Sequence, residues 1–298
     1  MMAAMTTTDA ANAGTTGTAG TSTGVAIVGG GKIGEALLSG LVRDVADATS
    51  RQAALGEIVV VEQHPERARL LAERYGVRVV DLAEAVRGAQ TVVVAVKPQD
   101  IDMVLGQLAE HIRADQLVVS VAAGITTAKI ESALPSGPAV VRCMPNTAAV
   151  VDEAMTAVSA GRNADEAHLA LAEALLSAVG KVVRVPESQL DAVTALSGSG
   201  PAYFFYLVEA MIDAGILLGL PRSLAAELIV QSAVGSAIML RDTGEHPVQL
   251  REAVTSPGGT TIAAIRELEN HGVRAALLSA IEAARDRSAE LGRTAAAD

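Results

Sequence analysis

From Val25 onward the chain alternates short β-branched runs with amphipathic segments, and at Pro186 that alternation stops. Few folds accommodate such a pattern. The runs cover residues 25–28, 58–61, 77–80, 92–96, 117–121 and 139–142. Between them lie segments with helical periodicity, such as 65–74, where Leu70 and Leu71 are apolar and Glu66, Arg67 and Arg69 polar. Strands separated by helices form a parallel, doubly wound α/β sheet. The runs are apolar throughout, which buries the sheet on both faces. Two more strands, near 155–159 and 182–185, flank a helix over about 164–179 and extend the domain.

After Pro186 only helical patterns follow, starting near Gln189, Ala202, Arg222, Pro247, Thr261 and Val273. The expected division is a tail over 1–23, an α/β domain over 24–186 and an all-α domain over 187–298. The helical region has no lysine and is rich in Ala, Leu, Ile and Gly. Such helices pack closely and complete their core against a second copy, so a dimer through this domain is predicted. The apolar run 203–220 is interrupted by Glu209 and Asp213 and carries Gly215 and Gly219. It reads as a helix buried between subunits and not as a membrane span. The tail is almost entirely Ala, Thr, Gly, Ser and Met; with neither a basic start nor an apolar stretch it reads as disordered.

With 23 basic against 34 acidic residues the net charge is -11, which weighs against a nucleic-acid or anionic-membrane partner. An anionic ligand must then be held by local geometry. The single cysteine, Cys143, has no disulfide partner and no metal-ligand pattern beside it, so no metal is expected. It reads as a buried strand residue in a protein of a reducing, cytoplasmic compartment.

Gly29-Gly30-Gly31-Lys32-Ile33-Gly34 follows the first strand and opens a helix, the setting that a dinucleotide fingerprint requires. Gly29 permits the tight turn, Gly31 the approach of a pyrophosphate, and Gly34 the packing of helix on strand, with Lys32 and Ile33 in the same loop. Glu62 ends the second strand 28 residues after Gly34, late because of a polar insertion over about 43–56. A carboxylate there accepts from a ribose 2′-OH and repels a 2′-phosphate, which favours NADH. Arg67 and Arg69 offer a 2′-phosphate two cations, or are simply a solvated helix face. NADH and NADPH both remain open at this point.

Three further segments reach the carboxyl rim of the sheet, where ligands of such folds bind. In Ala95-Val96-Lys97-Pro98, Lys97 faces the crevice or is a surface charge, and Pro98 starts a helix where its missing N–H costs nothing. Ala122 and Ala123, before Gly124, let a nicotinamide approach the backbone. Asn146, in Met144-Pro145-Asn146-Thr147, is placed to bind its carboxamide.

The turn Thr255-Ser256-Pro257-Gly258-Gly259-Thr260-Thr261 runs straight into an amphipathic helix. The first turn of a helix has free N–H groups and about half a positive charge, so it holds a small carboxylate without a lysine. The glycines clear the approach and the threonines add hydroxyls. An ordinary N-cap after a proline turn has the same composition.

Behind the glycine fingerprint, the V-K-P and the M-P-N-T stand Leu196-Ser197-Gly198-Ser199-Gly200-Pro201-Ala202-Tyr203 and residues 254–265. Over roughly residues 24–292 the chain resembles the pyrroline-5-carboxylate reductases. The resemblance implies an N-terminal doubly wound Rossmann domain, an all-α C-terminal dimerisation domain and an active site where they meet, often across subunits. It implies reduction of 1-pyrroline-5-carboxylate to L-proline by NADPH or NADH, in dimers or in decamers of five dimers. It puts the substrate carboxylate on Gly259 and Thr260, in the turn that includes Ser256 and Gly258. Thr261 falls on the ring nitrogen as the catalytic residue, and Glu187 near the substrate, unless it only caps the following helix. The chain departs from the family at Glu62-Gln63-His64, where serine and arginine are common, and at Asp81-Leu82, where an adenosine-side asparagine is usual.

The residues present suit that chemistry. A protonated cyclic imine is already electrophilic at carbon, so its reduction needs positioning more than a strong acid. A β-hydroxyacid dehydrogenase, the alternative of shared architecture, would take a lysine from its helical domain, and this chain has none there. A nucleotide-binding protein without catalysis is a third reading, motivated by the apolar helices alone.

Overall fold

A computed structural model describes residues 24–46 and 56–297; the expected tail 1–23 and residues 47–55 of the polar insertion lie outside the described residues. The strands are β1 (Gly24–Val28), β2 (Ile58–Val61), β3 (Arg78–Val79), β4 (Ala89–Val94), β5 (Leu117–Ser120), β6 (Ala139–Met144), β7 (Ala154–Ala160) and β8 (Gly180–Arg184). They form one eight-stranded sheet in the order β3-β2-β1-β4-β5-β6-β7-β8. The first six are parallel, joined by α1 (Lys32–Ala46), α2 (Pro65–Tyr75), α3 (Leu82–Gly88), α4 (Ile101–Ala109) and α5 (Thr127–Ala133). The order reverses between β1 and β4, and ligands of such sheets bind above that point.

The last two strands run the other way. β7 is antiparallel to β6, because the chain between them makes one short turn of helix at Thr147–Val151, too little for a parallel crossover. β8 is parallel to β7, and α6 (Glu166–Leu176) supplies the crossover.

Alternation along β1 shows how the sheet is buried. Val25 and Ile27 pack with Leu37, Leu38, Leu41, Leu175 and Leu176, whereas Ala26 and Val28 pack with Leu105, Leu108 and Ile130 on the other face. Cys143 is buried on β6, and burial pushes its thiol well up from its ordinary value, which keeps it unreactive. Gln116, also buried, donates to the carbonyls of Val86 and Ala89 and so ties the start of β5 to the start of β4.

Beyond β8 the described structure is helical: α7 (Leu190–Val193), a π-turn over Thr194–Gly198, α8 (Gly200–Leu217), α9 (Arg222–Thr243), α10 (Pro247–Ala253), α11 (Thr260–Asn270) and α12 (Val273–Ala297). Leu190 and Ala195 are fully buried where α7 and the π-turn pack on α12. From residue 200 onward, only Ala225 and Ser288 are buried among the described residues. Phe205, Tyr206, Leu217 and Leu218 are exposed, Leu217 at 88%. The run Glu187–Leu217 and α9 are long and apolar enough to cross a membrane by length and composition. One chain alone leaves these helices without a core.

Candidate active site

The glycine loop turns where β1 ends. Gly29 has φ 105, and a Cβ there would come within 2.7 Å of the Ala95 carbonyl oxygen. Its N–H donates to the Val61 carbonyl at 2.9 Å. A Cβ on Gly34 would overlap the Gly29 carbonyl, whereas Gly31 has open space around it. Backbone contacts thus require glycine at the turn and at the packing position, while Gly31 leaves open space beside the loop. Lys32, the first residue of α1, is exposed and Ile33 half-buried, so the helix start faces a free rim. The cradle fits a dinucleotide pyrophosphate.

Glu62 stands beside that loop. Its Oε2 accepts the Gly30 N–H at 3.0 Å and its Oε1 accepts the His64 N–H at 2.8 Å. Each carboxylate oxygen still has a lone pair for a ribose hydroxyl. Arg67 donates from Nε to the Gly30 carbonyl at 2.8 Å and pairs with Glu35, while Arg69 pairs with Glu73 on an exposed face. Both arginines that the sequence offered to a 2′-phosphate are thus engaged.

Along the rim, Ala95 and Val96 are half-buried, Lys97 and Pro98 exposed, Ala122 buried and Ala123 exposed. Asn146 is fully employed within the protein. Its Nδ2 donates to the carbonyl and hydroxyl of Ser197 at 3.3 and 3.4 Å, and its Oδ1 accepts from Ala148 and Met155. The residue expected at a carboxamide therefore fastens the end of β6 to the π-turn. Such turns are frequent at functional sites. Here a Cβ on Gly198 would press on Met144.

A cleft of about 840 Å³ opens between the rim and the helices, lined by Pro98, Ala123, Gly124, Thr194, Ser199 and Ser288 among others. Its far wall is α12, which no sequence motif marked. Ser288 donates to Asp191 at 2.8 Å and holds α12 against α7.

Glu187 lies at the seam. Its carboxylate accepts the Thr127 N–H at 2.8 Å and the Thr127 hydroxyl at 2.6 Å, and pairs with Arg142 at 3.1 Å. Burial pushes the Glu187 carboxyl up, but the Thr127 and Arg142 hydrogen bonds and the Arg142 charge outweigh it and hold it below the ordinary 4.5. Neither Thr127 nor Arg142 was singled out from sequence. The available signal was Arg142 itself, a lone cation inside the apolar run 139–144.

The turn at 255–261 is not among the residues that line the cleft. Gly258 has φ 67, and Gly259 occupies the N-cap of α11 without a side chain to cap it. The Gly259 N–H donates to the Ser256 carbonyl, and a Cβ on Gly259 would overlap the Ser256 hydroxyl. The first N–H groups of α11 are left for an outside acceptor, beside half-buried Thr261 and exposed Thr260. The close packing of α11 is against α12, and the turn does not line the cleft. Within one chain the two halves of the expected site do not line a common cleft.

Comparison with known proteins supplies the remaining observation. One family model, described as pyrroline-5-carboxylate reductase dimerisation, matches residues 187–291; a second, NADP oxidoreductase coenzyme F420-dependent, matches 24–124. The pyrroline-5-carboxylate reductase of Mycobacterium tuberculosis (strain ATCC 25618 / H37Rv) is 49% identical over 290 residues, covering 90% of this chain and 96% of its own. This chain belongs to the pyrroline-5-carboxylate reductase family. That of Synechocystis sp. is 44% identical over 268 residues, 90% of this chain and 97% of its own. The solved pyrroline-5-carboxylate reductase of Coxiella burnetii superposes with a TM-score of 0.81 at 36% identity, over 90% of this chain and 97% of that one. The Plasmodium falciparum pyrroline carboxylate reductase, solved with NADP bound, gives 0.78 at 26% identity, again over 90% and 97%. The exposed apolar helices fall within the family's dimerisation region, so self-association gives them their core.

Proposed function

We propose that the protein reduces 1-pyrroline-5-carboxylate to L-proline, the last step of proline biosynthesis, with NADH or NADPH. The observation that carries this is the start of α11: a helix end with a glycine cap and uncapped N–H groups, in a chain whose helical domain has no lysine acid. A bound NADH or NADPH would supply hydride to the carbon of the protonated imine, whose ring nitrogen already carries the proton that the amine product needs. Gly29, Gly31, Lys32, Ile33 and Gly34 hold the pyrophosphate, and Glu62 the adenosine ribose. Ala95 to Pro98, Ala122, Ala123 and the turn held by Asn146 form the nicotinamide rim. Gly259 and Thr260, with Ser256 and Gly258 shaping the turn, bind the substrate carboxylate through backbone N–H groups. Thr261 bonds the ring nitrogen and orients it, so that electrostatics and position carry the barrier.

Glu62 and the engagement of Arg67 support NADH as the preferred coenzyme. The units are 24–186, which carries the coenzyme, and 187–298, which dimerises and binds substrate. Because the turn at 255–261 does not line the cleft, the complete site joins the rim of one subunit to the turn of its partner. Dimers assembled further into decamers, in the cytoplasm and without nucleic-acid or membrane partners, complete the reading. Steady-state oxidation of NADH and of NADPH with pyrroline-5-carboxylate, with L-proline identified as product, tests it. Equal or faster turnover of small 3-hydroxy acids would overturn it.

A further inference from the structure

We propose that Glu187 is a positioning residue for hydride transfer, locking the helical domain to the loop that faces the reactive ring of the coenzyme. The proposal rests on the reading of residues 122–124 as the nicotinamide rim. It starts from connectivity: β8 ends at Arg184, the Val185 N–H is still bonded to the Val158 carbonyl at 3.0 Å, and Glu187 follows two residues later. It is among the first residues free to fix the direction in which the helices leave the sheet. Its three hydrogen bonds reach two rim segments at once. Thr127 opens α5 directly after the Ala122-Ala123-Gly124 loop, and Arg142 sits on β6 four residues before Asn146.

The bonds are those of a fixed brace. Thr127 is the first residue of α5, and its N–H has no acceptor within the helix; the Thr126 side chain caps the Lys129 N–H instead. Glu187 satisfies that N–H and the hydroxyl with separate oxygens, which fixes the carboxylate plane. The Arg142 side chain is only 7% exposed, so the cation is itself held in place. A carboxylate with these three partners is committed to the protein. The contact sets the height of the rim loop relative to the helices that carry the substrate turn, within one subunit or through the dimer. Hydride transfer is steep in that distance.

The test uses Glu187→Gln, Thr127→Val and Thr127→Ser in the full chain. For each, NADH affinity is measured by fluorescence, kcat and KM with pyrroline-5-carboxylate, and hydrogen exchange over residues 122–133. The expected result for Glu187→Gln and Thr127→Val is a kcat lowered about 10- to 100-fold. NADH affinity and substrate KM stay near wild type, and the amides around Thr127 exchange faster. Thr127→Ser, which keeps the hydroxyl, retains wild-type kcat. An unchanged kcat with only a lower melting temperature would reduce Glu187 to a structural role and overturn the proposal. A raised substrate KM with kcat intact would overturn it too, by making Glu187 a substrate contact. An inactive wild-type chain defeats the functional reading; an active wild type with an equally active Glu187→Gln chain defeats this one.

Discussion

Glu62 accepts the backbone N–H of Gly30 at 3.0 Å, so the carboxylate that follows β2 is built into the glycine loop. With Arg67 bonded to the carbonyl of the same residue, the Gly30 peptide is held from both sides. Replacing Glu62 by serine removes the charge that repels a 2′-phosphate. The ratio of kcat/KM for NADPH over NADH should rise about 10-fold, the worth of one charge-assisted hydrogen bond. An unchanged ratio would mean that Glu62 serves the loop alone.

Gly31 and Gly34 separate binding from folding. Gly31→Ala adds a methyl to open space in the free protein, so melting temperature should hold while coenzyme affinity falls. Gly34→Ala drives a methyl into the Gly29 carbonyl, so both should fall. Calorimetric melting and coenzyme titration of the pair check this; equal melting temperatures for both variants would contradict it.

Thr261→Val keeps the shape of the half-buried side chain at the start of α11 and removes its hydroxyl. Turnover of pyrroline-5-carboxylate should drop about 10- to 100-fold, as for one positioned hydrogen bond. Kinetics identical to wild type would take Thr261 out of the chemistry.

Thr156 is fully buried on β7, and its hydroxyl has no hydrogen-bond partner. Thr156→Val relieves a desolvated polar group and should stabilise the protein by about 1 kcal/mol. For a protein of this size that raises the melting temperature roughly 2 to 4 °C. A lower melting temperature would show the hydroxyl to be satisfied in solution.

Glu35 on α1 binds Arg67, Arg74 and the Tyr75 hydroxyl. Burial pushes its carboxyl up, but the hydrogen bonds from Arg67 and Tyr75 and the two arginine charges outweigh that, and hold it below the ordinary 4.5. A group depressed by folding stabilises fully above its unfolded value and loses that contribution as pH falls through its folded value. Melting temperature should therefore decline below about pH 4.5, and less steeply in Glu35→Gln than in wild type. Parallel curves for the two proteins would exclude Glu35 as a source of acid sensitivity.

The α/β fold was legible because period and order are local properties: each apolar run formed a strand, and Gly29 and Gly34 stand where a side chain would strike backbone. The edges moved where pairing decided them, as at β3, which shrank to two residues at the sheet edge. The reversal at β7 followed from the length of one connection and not from any residue type. In the candidate site, the sequence placed Asn146 at the rim and the family resemblance put Glu187 near the substrate, but neither could say which way they would spend their hydrogen bonds. Ser197 is 51 residues from Asn146, and Thr127 is 60 from Glu187; pairings at that separation exist only once the sheet and helices have assembled. The α12 wall of the cleft carries no motif, since packing and not chemistry brings it there.

That the start of α11 does not line the cleft has a genetic meaning. On the proposed reading, each chain carries the coenzyme half of one site and the substrate half of another. A subunit spoilt at Gly31 and a subunit spoilt at Thr261 would each be dead with its own kind, yet together they would assemble one intact site per pair. Two non-functional alleles of this gene would therefore complement each other in the same cell, which neither mutation could achieve in an enzyme that closes its site within one polypeptide.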